Sequence, residues 1–181
     1  MRSPSLYWHV RDKEELLDLL AERIMAEIAI PDRQLPWRER VEALMTGFRR
    51  SLLVHRDAAR ILAGRPPLGA HQLAVAEAAL TALLDAGLEA GEAAGGVGLL
   101  VSYVTGFALD EAAELEGPAQ DDGGDTFDYG LFLAALPVDR YPTLVRLAGQ
   151  LGQPDRDSQF GYGMGFLLDG LARRGRPGPR A

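Results

Sequence analysis

The stretch Asp12-Lys13-Glu14-Glu15-Leu16-Leu17 is where this chain first commits to a structure. Asp12 is a good N-cap, because its carboxylate can accept the free amide protons of a first helical turn, and Glu15 follows three residues later, as a capping box requires. A helix from about 14 to 29 puts Leu16, Leu17, Leu20, Ile24 and Ile28 on one broad face, so it must lie along a partner element. Pro31 and Pro36 break it. Immediately before the cap, Leu6-Tyr7-Trp8-His9-Val10 gathers two large aromatics and a histidine in a short apolar segment.

The helical period returns in each later segment, so the fold class is all-α. From Trp37, the residues Val41, Leu44, Met45, Phe48, Leu52 and Leu53 recur at three and four positions, with Arg38, Arg40, Glu42, Arg49 and Arg50 on the other side. A short helix is expected from Asp57, as its cap, to about Leu62. The loop Ala63-Gly64-Arg65-Pro66-Pro67 follows, its prolines forbidding regular structure. Helices are then predicted over 71–86 and 89–115. In the second of these, Gly91, Gly95, Gly96 and Gly98 each weaken the helix by up to about 1 kcal/mol relative to alanine, which points to close approach of another helix, within the chain or across a dimer. Residues 116–125 lack periodicity and form an acidic loop expected to be mobile. An apolar turn or short helix at Phe127–Leu136 could act as a lid. Pro142 starts a segment over 143–151, and Phe160, Met164, Leu167, Leu168 and Leu171 mark a last helix ending at Arg173-Arg174.

Composition narrows the function classes. No apolar run approaches a membrane span and no signal peptide opens the chain, so the expected location is cytoplasmic, with no membrane partner. The chain has no cysteine, which excludes disulfides and thiolate-held metals. A net charge of -7 is unsuited to a chain that is mainly a nucleic-acid binder. That charge is uneven: eight acidic and no basic residues lie between Asp110 and Asp128, while arginines crowd the first third. His9, His55 and His71 share no metal-ligand spacing, and neither a nucleophile elbow nor a phosphate loop is present. No catalytic residue, metal or cofactor is therefore expected, and the chain is read as not an enzyme.

The segment Pro4-Ser5-Leu6-Tyr7-Trp8-His9-Val10, then Arg11-Asp12, Lys13 and the helix after it, resembles the recognition helix, turn and connecting helix of the TetR family of bacterial repressors, in the branch of the tetracycline repressor. Leu53-Val54-His55-Arg56-Asp57-Ala58-Ala59 resembles a turn between two ligand-domain helices of the same branch. The resemblance implies DNA contact by Pro4, Ser5, Tyr7, Trp8, His9 and Lys13, although Tyr7 and Trp8 read equally well as core. It implies a ligand cavity involving Leu44, Phe48, Leu62, Arg65, Leu99, Tyr103 and Phe107, with Phe48 serving as core and pocket together. The loop at Gly64-Arg65-Pro66 resembles the family's switch loop. The tetracycline repressor's metal-binding histidine falls at Leu62, its inducer-contacting asparagine near Leu44, its early pocket histidine near Ala29, and a partner-chain glutamate at Asp110. None of those polar groups that hold a metal-chelated tetracycline is kept at Ala29, Leu44 or Leu62. The resemblance thus implies an apolar or aromatic inducer bound without a metal, with Asp110 solvated or ion-paired.

The family also implies a homodimer joined by the 89–115 helix and the last helix in an intermolecular four-helix bundle. Because Met1 falls only a few residues before Tyr7, the supporting helices of the helix-turn-helix are expected to be absent from this chain. The resulting organisation is a helix-turn-helix remnant over 1–11, a connecting helix over 12–30, a ligand-binding and dimerisation domain over 31–174, and a disordered tail over 175–181. The expected function is a ligand-responsive repressor with operator DNA and a small-molecule inducer as partners. The alternative is a helical dimeric binding module without DNA binding.

Overall fold

A computed structural model describes residues 12–55, 57–63, 65–115, 127–152 and 155–175. Regular structure among them is entirely helical: α1 (Lys13–Met25), α2 (Trp37–Val54), α3 (Ala58–Leu62), α4 (Ala70–Asp85), α5 (Ala90–Leu115), α6 (Tyr129–Ala134), α7 (Pro142–Arg146), α8 (Ala148–Gly152) and α9 (Arg156–Arg174). Asp12 caps α1, its side chain accepting the Glu15 amide at 2.9 Å. The helix ends four residues sooner than its apolar period suggests. Beyond Met25 the backbone tightens, the Glu27 amide donating to Ile24 and the Ile28 amide to Met25, so Ile28 is buried by a turn rather than by a helical face.

Helix α2 is the centre of the molecule, packing on α4 and α5 and touching α1 and α3. Val41, Leu44, Met45, Phe48 and Leu52 are all buried along it. Each such side chain, fully buried, contributes roughly 1.5–3 kcal/mol, more than enough to outweigh the glycine cost in neighbouring α5. Two arginines assigned by periodicity to the polar side of α2 are in fact buried. Arg40 reaches Asp85 of α4 at 2.8 Å. Arg49 forms a bidentate pair with Glu111 of α5, at 2.9 and 2.8 Å, bonds Asp157 of α9 at 2.7 Å, and lies over the Phe107 and Phe160 rings. Paired charge explains their burial, since an unpaired guanidinium could not be taken from water.

Three other elements differ from expectation. Asp57 does not cap α3; it sits in the left-handed region with φ 61°, and its carboxylate bonds Arg60 instead. The 143–151 segment is two helices rather than one, because the chain departs from helical geometry at Leu147. Helix α5 does have the length and apolarity of a membrane crossing over Ala90–Glu114, contrary to the reading of the bare sequence. Its apolar side is divided between the core, through Leu100, Val104 and Ala108, and an outer surface with Leu99 and Val101.

Helices α6–α8 pack on one another around Leu133 and Ala148, with Gly152 against Gly130. They stand apart from the main core, leaving Phe127, Leu131 and Phe132 exposed. Helix α9 packs on α5. Gly163 is where the two meet: a Cβ there would overlap the Tyr103 hydroxyl, which donates to the Phe160 carbonyl at 2.9 Å. The acidic loop at 116–125 and the tail after Gly175 lie outside the described residues.

The partners of Arg49 differ in burial: the Glu111 side chain is 14% exposed and that of Asp157 86%. Removing a buried partner leaves a buried charge, whereas a solvated one matters little. Glu111→Ala should destabilise the fold by about 3 kcal/mol or more, and Asp157→Ala by less than about 1 kcal/mol. Chemical denaturation measures both, and equal effects would contradict the assignment.

Candidate functional site

A cavity of about 220 Å³ lies where α1, α2, α4 and α5 converge. Helix α1 supplies Met25, and α2 supplies Met45 and Phe48, one turn apart. On α4, Gln72, Val75, Ala76 and Ala79 line it at i, i+3, i+4 and i+7, the spacing of a single helical face. Helix α5 contributes Val97, Gly98, Val101 and Thr105, the end of α3 contributes Leu62, and the α3–α4 connection contributes Arg65 and Pro67. Exposed Pro67, Gly98 and Val101 mark its mouth. No carboxylate lines it. A second depression, of about 240 Å³, adjoins Val54, His55, Asp57 and Arg60 at the outer ends of α2 and α3, and its polar, charged rim makes it the poorer ligand site.

Of the residues expected to hold a ligand, Phe48, Leu62 and Arg65 lie on this wall, while four lie elsewhere. Leu44 is wholly buried one turn before Phe48, in the core proper. Leu99 is on the outer side of α5, half exposed. Tyr103 and Phe107 turn toward α9, where they stack with Phe160. The face of α5 that meets the cavity is rotated by two residues from these aromatics, and it carries small side chains because the wall must leave room. The cavity thus meets a different face of α5 from the one that carries Leu99, Tyr103 and Phe107, and the i, i+3, i+4, i+7 row on α4 is the sequence signal that points to it. Of the expected DNA-contacting residues, Pro4, Ser5, Tyr7, Trp8 and His9 lie outside the described residues. Lys13 is exposed at the first position of α1. Asp110 is exposed on α5.

The cavity is fastened to α1 by charge. Glu14, Asp18 and Glu22 recur every four residues on one face of that helix. The Arg65 guanidinium donates to Glu14 at 2.6 Å and Asp18 at 2.7 Å, so its cationic end is turned out of the cavity onto the helix. Glu22 works in the next turn. Its carboxylate accepts the backbone amides of His71 at 2.7 Å and Gln72 at 3.2 Å, and lies 2.7 Å from His71 Nδ1. This satisfies the free amides at the start of α4 from another helix. Gly69 permits that approach, because a Cβ there would overlap the Glu22 carboxylate. Among the described residues no group of three or more metal-ligating side chains converges.

This combination defines a class: an all-helical small-molecule receptor whose wall is tied to its first described helix. Residues 30–174 match the family model "Tetracyclin repressor-like, C-terminal domain". The tetracycline repressor protein class A from transposon 1721 of Escherichia coli is 34% identical over 177 residues, covering 96% of this chain and 77% of that one. The crystal structure of ActR from Streptomyces coelicolor in complex with actinorhodin superposes with a TM-score of 0.83 at 34% identity, covering 97% of this chain and 84% of that one. TetR class A in complex with 5a,6-anhydrotetracycline and magnesium gives a TM-score of 0.66 at 31% identity, covering 95% and 82%. The chain belongs to the TetR family, and it is a ligand-responsive transcriptional regulator. Its relatives are regulators rather than enzymes.

Burial by itself would raise the Glu22 carboxyl, but the His71 amide, the His71 ring and the Gln72 amide together hold it below its ordinary range. A carboxylate depressed in the folded state stabilises above its unfolded pKa, and this stabilisation fades as the pH falls through the lower folded value. Glu22→Gln should therefore cost about 1 kcal/mol at pH 7, with the gap to wild type closing below about pH 4. Thermal unfolding from pH 7 to 3 measures this, and a gap that widens in acid would contradict it.

Proposed function

We propose that this chain is a repressor that leaves operator DNA when a small apolar or aromatic molecule enters the α1–α5 cavity without a metal. The observation that carries the reading is the pair of bonds from Arg65, a wall residue, to Glu14 and Asp18 of α1. Helix α1 follows directly on the segment 1–11, in which Pro4, Ser5, Tyr7, Trp8 and His9 contact operator DNA together with Lys13. A ligand that displaces Arg65 or Pro67 thus acts on the helix that carries the recognition segment. The ligand binds one arrangement of α1 better than the other and shifts the population toward it. In a dimer this changes the separation of two recognition segments that must meet half-sites about one DNA turn apart.

The lining supports an apolar ligand, being methionine, phenylalanine, valine and alanine with few polar groups. Binding without a metal is supported by the absence of a ligating atom from Leu62, the position that resembles the tetracycline repressor's histidine. Two neighbours hold small molecules, one actinorhodin and the other 5a,6-anhydrotetracycline with magnesium. Homodimerisation is supported by the outer face of α5 and α9. There Gly91, Gly95, Gly161 and Gly165 have open space where a Cβ would stand, and Leu99, Tyr162 and Phe166 are exposed. Small residues beside exposed apolar ones suit a second copy packing as a four-helix bundle. The segments 1–11, 12–30 and 31–174 then serve as DNA reader, lever, and receptor with dimer body, in a cytoplasmic protein.

The double variant Glu14→Gln, Asp18→Asn breaks the link without touching the cavity wall. On DNA selected from a random-sequence pool by the wild type, actinorhodin should lower wild-type DNA affinity roughly 5- to 150-fold. The double variant should bind actinorhodin with a Kd within about threefold of wild type, because no wall residue changes, and its DNA affinity should hardly respond. Chelator should alter neither Kd. Full retention of the response in the double variant would rule out the link, and failure of the wild type to select any DNA would favour a binding module without DNA binding.

A further inference from the structure

Gln72 is the buried uncharged polar side chain on the cavity wall, with 7% of its surface exposed. Its amide is held in one orientation. Oε1 accepts the backbone amides of Leu68 at 3.0 Å and Gly69 at 2.9 Å. Those two N–H groups can only donate, so the atom facing them must be the oxygen, and the usual ambiguity between amide oxygen and nitrogen disappears. The Nε2 group occupies the other fork, and none of the hydrogen bonds among the described residues uses it. A pocket's few polar groups fix the orientation of its ligand, and a wall donor with no partner among the described residues is available for that role. The other uncharged polar group of the wall, the Thr105 hydroxyl, can both donate and accept and so does not discriminate.

We propose that Gln72 Nε2 is the donor that orients the ligand, so that the receptor selects flat ring systems bearing a carbonyl or quinone oxygen over hydrocarbons of the same shape. This rests on the cavity being the ligand site. It gives that site a chemical preference and a polar anchor. The anchor also sits where the ligand is sensed, since the carbonyl end of the same amide closes the turn whose next amides are held by Glu22 of α1. A ligand oxygen drawn to Nε2 therefore bears on the start of α4 and, through it, on α1.

A matched pair of probes tests this: anthraquinone-2-sulfonate and anthracene-2-sulfonate, which share ring count and anion and differ in the two carbonyl groups. Binding is followed at pH 8 by protein fluorescence, in the wild type and in Gln72→Glu. The variant keeps an oxygen for the Leu68 and Gly69 amides, so the helix start persists, but it offers no donor to the cavity once ionised. The wild type should prefer the quinone by about tenfold. In Gln72→Glu the quinone should weaken by at least that factor, while the hydrocarbon stays within about threefold. Equal binding of the two probes by the wild type, or equal weakening of both in the variant, would overturn the anchor while leaving the cavity as the ligand site. If neither probe binds the wild type, the ligand site itself is lost and the anchor with it. An unchanged thermal midpoint in the variant separates a lost donor from a lost fold.

Discussion

Three carboxylates on one face of α1 tie that helix to the cavity wall and to the start of α4. Glu14 and Asp18 share the Arg65 guanidinium, and Glu22 closes the first turn of α4. Without them, α1 would rest on the core only through Ala21, Ile24, Met25 and Ile28, all in its C-terminal half and the turn beyond. Leu16 and Leu17 in its N-terminal half are only half-buried, and Leu19 and Leu20 at its middle are exposed, so apolar burial there is incomplete. Surface ion pairs are individually weak, typically under about 1 kcal/mol. That weakness suits a lever: a contact that a ligand must be able to rearrange cannot be worth much more than the ligand's own differential affinity. The rigid counterpart is Arg49, whose buried pair with Glu111 fixes α2 to α5 and gives the lever a body to move against.

Much of the architecture can be read from local chemistry. Asp12 as a cap, the apolar row of α2, the reach of α5 and the phenylalanine–methionine–leucine row of α9 all follow from period and capping, because burial there is a property of one helix at a time. What escapes such reading depends on a partner elsewhere in the chain. Arg40 and Arg49 look solvated until Asp85 and Glu111 are brought beside them by the packing of α4 and α5. Asp57 looks like a cap, yet Arg60 takes its carboxylate. Gly69 looks like an ordinary loop glycine until Glu22 arrives from a helix far back in the chain.

The cavity illustrates the same point. Large aromatics attract attention as ligand contacts, and on α5 they instead build the seam with α9, with Tyr103 set into the gap left by Gly163. The wall is made of residues that look featureless in sequence, such as Ala76, Ala79 and Gly98, because a cavity exists where side chains are short. Resemblance to the TetR family points by motif to Phe48, Leu62 and Arg65, which line the cavity, whereas Gln72, also on its wall, carries no motif. The glycines of α5 and α9 divide in an equally instructive way. Gly96 and Gly163 admit neighbours from within the chain, whereas Gly91, Gly95, Gly161 and Gly165 face open space.

The coupling of cavity to lever can be measured directly, since the chain has no cysteine. A single spin label at Leu19→Cys, on the exposed side of α1, reports the distance between the two levers of a dimer. Coupling through the α1 carboxylates requires that saturating actinorhodin shift this distance distribution by several ångström, and that Glu14→Gln with Asp18→Asn abolish the shift while ligand stays bound. An inter-lever distance unaffected by bound ligand would contradict the coupling, and the absence of any inter-label distance would contradict the dimer on which it depends.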